Sequence, residues 1–117
     1  MMHAISLINL ASVRSFESTI GKPVHPMRFR GNVYYDSDVP WSELDLVGRQ
    51  MTIGEVTVEI VQRTRRCPAT QVNPDTAQRD LDVPALLQQH VDHRDMGVYA
   101  EIRSAGAIKI GDELTIT

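Results

Sequence analysis

Met51-Thr52-Ile53-Gly54-Glu55-Val56-Thr57-Val58-Glu59-Ile60 is the stretch on which the fold class turns. On both sides of Gly54-Glu55 the apolar residues recur at every second position. Met51 and Ile53, then Val56, Val58 and Ile60, therefore share one face of an extended chain. A glycine opening a two-residue connection between such arms is the mark of a β-hairpin. The apolar-x-Ile-Gly-acid pattern returns at Ile108 to Asp112 and predicts a second hairpin over Ile108 to Ile116. Two short copies are too few for a repeat architecture and read as one turn chemistry used twice. Gly97 to Arg103 alternates as a strand, residues 4 to 8 form another short strand, and Gly31 to Asp36 reads as extended. Short strands with closely spaced turns predict a mainly β sandwich or barrel rather than a wound α/β sheet.

Two short helices fit between these strands. Asn9 offers a side-chain oxygen to cap a helix carrying Leu10, Val13, Phe16 and Ile20 on one face, and Gly21 ends it. Asp82, with Pro84 just behind it, starts a second helix through about His90, with Leu86, Leu87 and Val91 on its apolar side. Pro23 and Pro26 make the intervening stretch irregular. The loop around Pro40 and Trp41 is expected to hold one further helical turn.

The chain has 117 residues, 42% of them apolar, which suits one globular domain over 1–117 without disulfides. Its lone cysteine excludes an internal disulfide. With neither a signal-like start nor a membrane-length apolar run, the expected compartment is the cytoplasm. A formal net charge of -3 argues against a surface built for nucleic acid. Of the 12 basic residues only Lys22 and Lys109 are lysine, a bias that suits bidentate recognition of phosphate or carboxylate.

Chemistry concentrates at Cys67, in the run Arg63-Thr64-Arg65-Arg66-Cys67-Pro68-Ala69-Thr70 followed by Asn73-Pro74-Asp75-Thr76. Nearby guanidiniums favour the ionised sulfur, which is both a nucleophile and a soft metal ligand. The alternative is a small buried hydrophobe. Three arginines cannot all be buried beside the thiol without partners, so the segment is expected at the surface or facing an anion. Pro68 disfavours a helix here and leaves a loop or strand edge to present the thiol. His90 and His93, one helical turn apart, sit among Gln88, Gln89, Asp92, Arg94 and Asp95 and read as a solvated face rather than a metal site. His3 and His25 have no partner at ligand spacing. No glycine-rich phosphate loop and no Gly-x-Ser-x-Gly elbow occurs.

Four stretches in order resemble the MOSC domain, the module named for the C-terminal part of molybdenum cofactor sulfurases. They are Ile5 to Ser12; Arg28-Phe29-Arg30-Gly31-Asn32; Arg66-Cys67 with Thr70 and Asn73 to Thr76; and Gly97 to Ala100 with Ile108 to Asp112. The resemblance implies a MOSC-type β-barrel with two or three short helices that binds the molybdenum cofactor (molybdopterin), a pterin carrying a dithiolene and a phosphate. It makes Cys67 the metal ligand or sulfur carrier, as in sulfurases and the mitochondrial amidoxime-reducing component. Asn9, Arg30, Asn32, Arg66 and Thr70 are the implied cofactor-binding positions.

Relatives usually carry a further N-terminal segment that completes the barrel, and this chain is expected to lack it. Thr64 stands where many relatives have a second cysteine, which excludes a dithiol mechanism at that pair. No pyridoxal phosphate domain or iron-sulfur cysteine cluster is present. Reduction or sulfur relay would therefore need an electron-donor or cysteine-desulfurase partner, the latter carrying the pyridoxal phosphate. The competing reading is a non-enzymatic shortened barrel acting as a binding or assembly module, with a homodimer covering its exposed strand edge.

Overall fold

The computed structural model describes residues 4–116, so His3 lies outside the described residues. The strands are β1 (Ala4–Asn9), β2 (Val33–Tyr35), β3 (Gln50–Ile53), β4 (Val56–Arg65), β5 (Asp95–Ser104) and β6 (Leu114–Ile116). The helices are α1 (Leu10–Ile20) and α2 (Val83–Val91), with 3-10 turns η1 (Pro26–Phe29), η2 (Ser42–Leu46) and η3 (Pro68–Gln71). One sheet holds all six strands in the order β2-β1-β5-β4-β3-β6. It is curled into a half-barrel, and the protein is mainly β. Three register shifts along the β4–β5 pair bend the two long central strands, as bulges do.

The alternation read from the sequence builds the hairpin as expected. Met51 pairs with Val58 and Ile53 with Val56 across the Gly54 turn, where Gly54 takes φ 56. The apolar arms join Leu7, Tyr35, Ile60, Val98 and Ala100 in one buried cluster. A second cluster packs Val13 and Phe16 of α1 and Leu87 of α2 with Ile8, Phe29 and Met96. The sheet thus has a core on each face. Asn9 caps α1 by accepting from Ala11 N–H at 3.1 Å, and Gly21 closes it at φ 69. Asp82 caps α2, which runs one residue past the expected end to Val91, with Asp92 in the left-handed position behind it.

The expected second hairpin does not form. Lys109 and Asp112 close a tight turn, with Asp112 N–H donating to Lys109 O at 3.1 Å and Lys109 N–H to the Asp112 carboxylate at 2.9 Å. Ile110 is fully exposed, and only Leu114–Ile116 is a strand. That strand pairs with β3, not with the residues before it. The Ile108 stretch packs instead against the first turn: Glu55 and Ala107 exchange hydrogen bonds, and a Cβ on Gly54 would meet Asp112. Similar sequences here make two sides of one contact. The Gly31 to Asp36 segment is likewise shorter as a strand than expected, since Val33–Tyr35 alone pairs with β1.

Candidate functional site

β4 delivers the chain to Cys67. Thr64 and Arg66 face inward and are buried, while Arg63 and Arg65 face outward, so the alternation that exposed Gln62 interrupts resumes at the end of the strand. Cys67 then occupies the N-cap position of η3 in an extended conformation, φ -115 and ψ 173, and its thiol is exposed. Pro68 at the first helical position lacks an N–H that would have had no acceptor there. Thr70 folds the turn back, donating to Cys67 O from its N–H at 3.1 Å and its hydroxyl at 2.8 Å.

The arginines do not surround the sulfur as the linear run suggested. Arg66 N–H donates to Arg94 O at 2.7 Å, and its buried side chain lies over the Phe29 ring. Its guanidinium donates to Met96 O and, at 3.0 Å, to Phe29 O. Burial lowers this group to about 10, with Tyr99 and Cys67 among the neighbours that oppose the shift, so Arg66 is still a cation at neutral pH. Expected among the cofactor-binding positions, it is held here by main-chain carbonyls. Arg63 donates to Leu44 O at 3.1 Å and lies 3.8 Å from Asp95 and 3.9 Å from Asp45. Arg65 and Arg30 are exposed, and neither side chain makes a hydrogen bond or ion pair among the described residues. Arg30 follows the Phe29 carbonyl that anchors Arg66 and takes a left-handed φ of 50.

The remaining expected positions separate. Asn32 pairs with Ser6, its Oδ1 accepting from Ser6 N–H at 2.8 Å and its N–H donating to Ser6 O at 2.9 Å, which sets β2 beside β1. Asn9 is wholly buried: its amide donates to Ser37, Val39 O and Glu43, and its oxygen caps α1. Asn9, expected to contact cofactor, anchors α1 to the loop before η2 through these bonds. Thr70 is also buried and acts through the Cys67 carbonyl.

Two further contributors were not among the expected site residues, although both lie in stretches that carry the family resemblance. Arg28, buried within η1, donates to Thr70 O at 3.3 Å, Gln71 O at 3.0 Å and the Asp80 carboxylate at 2.5 Å. Asn73 and Arg28 hold the Asp80 carboxyl below its usual range. Gly97, at φ 79, leaves the space that the Arg66 guanidinium crosses.

The donor set around Cys67 is one soft sulfur, with the unpartnered guanidinium of Arg65 two residues before it and that of Arg30 next to the Phe29 carbonyl that anchors Arg66. Among the described residues no group of three or more His, Cys, Asp or Glu side chains is placed to hold a metal ion. A metal at Cys67 would have to bring its other ligands with it, which fits a dithiolene-bound molybdenum, and a pterin phosphate suits Arg30 or Arg65. A cavity of about 730 Å³ lies elsewhere in the half-barrel, between β2 and β6, lined by residues such as Val33, Tyr35, Met51, Leu114 and Ile116.

A family model for the MOSC domain matches residues 1–115. The molybdenum cofactor sulfurase of Drosophila grimshawi is 32% identical over 118 residues, covering 94% of this chain and 15% of that protein. That of Drosophila mojavensis is 35% identical over 75 residues, 62% of this chain and 9% of that one. The crystal structure of YiiM from Geobacillus stearothermophilus superposes with a TM-score of 0.69 at 19% identity, over 97% of this chain and 53% of that chain. This chain belongs to the MOSC domain family and is related to the molybdenum cofactor sulfurases. It spans about 15% or less of the length of those two curated relatives. No helix among the described residues is long and apolar enough to cross a membrane.

Proposed function

We propose that this domain binds the molybdenum cofactor through Cys67, for molybdopterin-dependent reduction or for sulfur or cofactor relay. The observation that carries this reading is the exposed thiol at the head of η3, on a turn held by hydrogen bonds. Cys67 supplies sulfur to the metal, and Arg30 and Arg65 meet the pterin phosphate. Arg66, Thr70 and Asn32 keep the surrounding backbone in place. The bound cofactor supplies the redox or sulfur chemistry, while electrons or sulfur come from a partner protein. A lone exposed thiol suits a reducing compartment such as the cytoplasm.

The test is metal and pterin content after expression in a cofactor-competent host, followed by reconstitution. Wild-type protein should retain molybdenum and pterin, and Cys67→Ser should lose at least about tenfold in metal occupancy, the order seen when metal-site residues are removed. Equal occupancy in both proteins, or none in either after reconstitution, would overturn the reading. The non-enzymatic module with a covered edge rests on a different observation: among the described residues β2 and β6 have no further strand beside them, so any dimer would have to cover these edges by more than strand pairing, given their three-residue length. It predicts a dimer by light scattering whose formation does not depend on Cys67.

A further inference from the structure

We infer that Arg28 is the positioning residue of the Cys67 site, holding from η1 the turn that follows the thiol while Arg66 holds the residue before it. The inference rests on the proposed role of Cys67 and names what fixes the sulfur in place.

The geometry is two-sided. Before the thiol, Arg66 is tied to Phe29 O at the end of η1. After it, Arg28 in the same short turn reaches the carbonyls of Thr70 and Gln71. Thr70 in turn binds Cys67 O through two donors. One 3-10 turn thus grips both flanks of the cysteine through two buried guanidiniums.

The segment needs such a grip. Residues 74–80 are exposed, and the contacts of Asn73 with Gln78, Ala77 and Asp80 and of Val72 with Arg79 are internal to the loop. Ties outward from this stretch are Gln71 to Asp82 at 3.1 Å, a distant His25–Asp75 pair at 3.9 Å, and the three bonds from Arg28. Of these, only the Arg28 side chain is buried, at 3% exposure.

Burying a guanidinium is costly, and Arg28 Nε has no hydrogen-bond partner. An apolar residue would avoid that cost but could not join two carbonyls and a carboxylate. A lysine has no planar fork to span them.

The lone cysteine supplies its own probe. With a nitroxide on Cys67 and no cofactor present, Arg28→Lys and Arg28→Met should sharpen the spin-label spectrum. Amides of residues 69–71 should exchange about tenfold faster, while those of α1 and β1 hold their rates. Arg103→Lys, on the exposed part of β5, should change neither reading.

Lysine failing to restore the wild-type spectrum separates positioning from a generic need for charge. Unchanged label and amide behaviour in the Arg28 variants would overturn the inference, as would loosening spread evenly over the protein. If both Arg28 variants fail to fold, Asp80→Asn decides: a sharpened spectrum supports the brace, and an unchanged one overturns it.

Molybdenum occupancy is read in parallel. A wild-type protein that takes no molybdenum but shows the Arg28 response overturns the cofactor reading and leaves the brace standing. Cys67-dependent molybdenum binding without the Arg28 response does the reverse.

Discussion

At Gly97 a Cβ would stand 2.7 Å from Leu7 O, 2.8 Å from Ile8 Cδ1 and 3.1 Å from Arg66 Nη2, on a backbone at φ 79. The first of these contacts is with backbone and cannot be relieved by a side-chain movement. Gly97→Ala should therefore destabilise the protein by about 2–4 kcal/mol, combining a strained φ with overpacking. Thermal unfolding should shift down by roughly 10 °C. A variant within 1 °C of wild type, on the same scale, would mean that the strand and Arg66 can move apart freely. The exposure of Cys67 was legible at this scale, because Pro68 and the polar flanks left little else for the segment to do. The directions of the arginines were not read from the run, although the signal was there. Val56, Val58 and Ile60 are buried at even positions; the series breaks at exposed Gln62, beside a register shift, and resumes at Thr64 and Arg66. Adjacency along a strand places side chains on opposite faces, so three neighbouring arginines could not all attend one sulfur.

Among the elements, the join between α1 and η2 is built around a buried carboxylate. Glu43 accepts from Ser12 Oγ at 2.8 and 2.9 Å and from Asn9 Nδ2 at 3.1 Å. Asn9→Asp keeps an oxygen to cap α1 but exchanges a donor for a second acidic group against Glu43. The expected loss at neutral pH is about 3 kcal/mol or more, as for an uncompensated buried charge. Urea midpoints of the variant and of wild type at pH 7 check the loss; equal midpoints contradict it. The first hairpin and both helices were readable because periodicity, caps and turn residues agreed. The Ile108 hairpin failed although its local pattern matched. A strand requires a partner, and the available edge of β3 is occupied by Leu114–Ile116. Pairing partners that distant leave no local trace in sequence.

Across the whole molecule, the curled sheet separates two environments. The cavity between β2 and β6 is lined from the cluster that includes Met51, Ile53 and Tyr35, while the Cys67 turn packs with η1 and α2 beside the cluster holding Phe29 and Met96. The expected barrel was legible as a class, but its half-barrel form depends on which strands lie at the edges, which periodicity does not encode. β2 and β6 are only three residues each, a length that limits edge-to-edge pairing. The proposed site is therefore not this cavity but an exposed sulfur on a hydrogen-bonded turn. X-ray absorption at the molybdenum edge, on wild type and Cys67→Ser loaded by the same reconstitution, tests that claim most directly. The account predicts one sulfur fewer in the metal's ligand shell in Cys67→Ser, or loss of the metal altogether. Identical spectra at equal occupancy would contradict it.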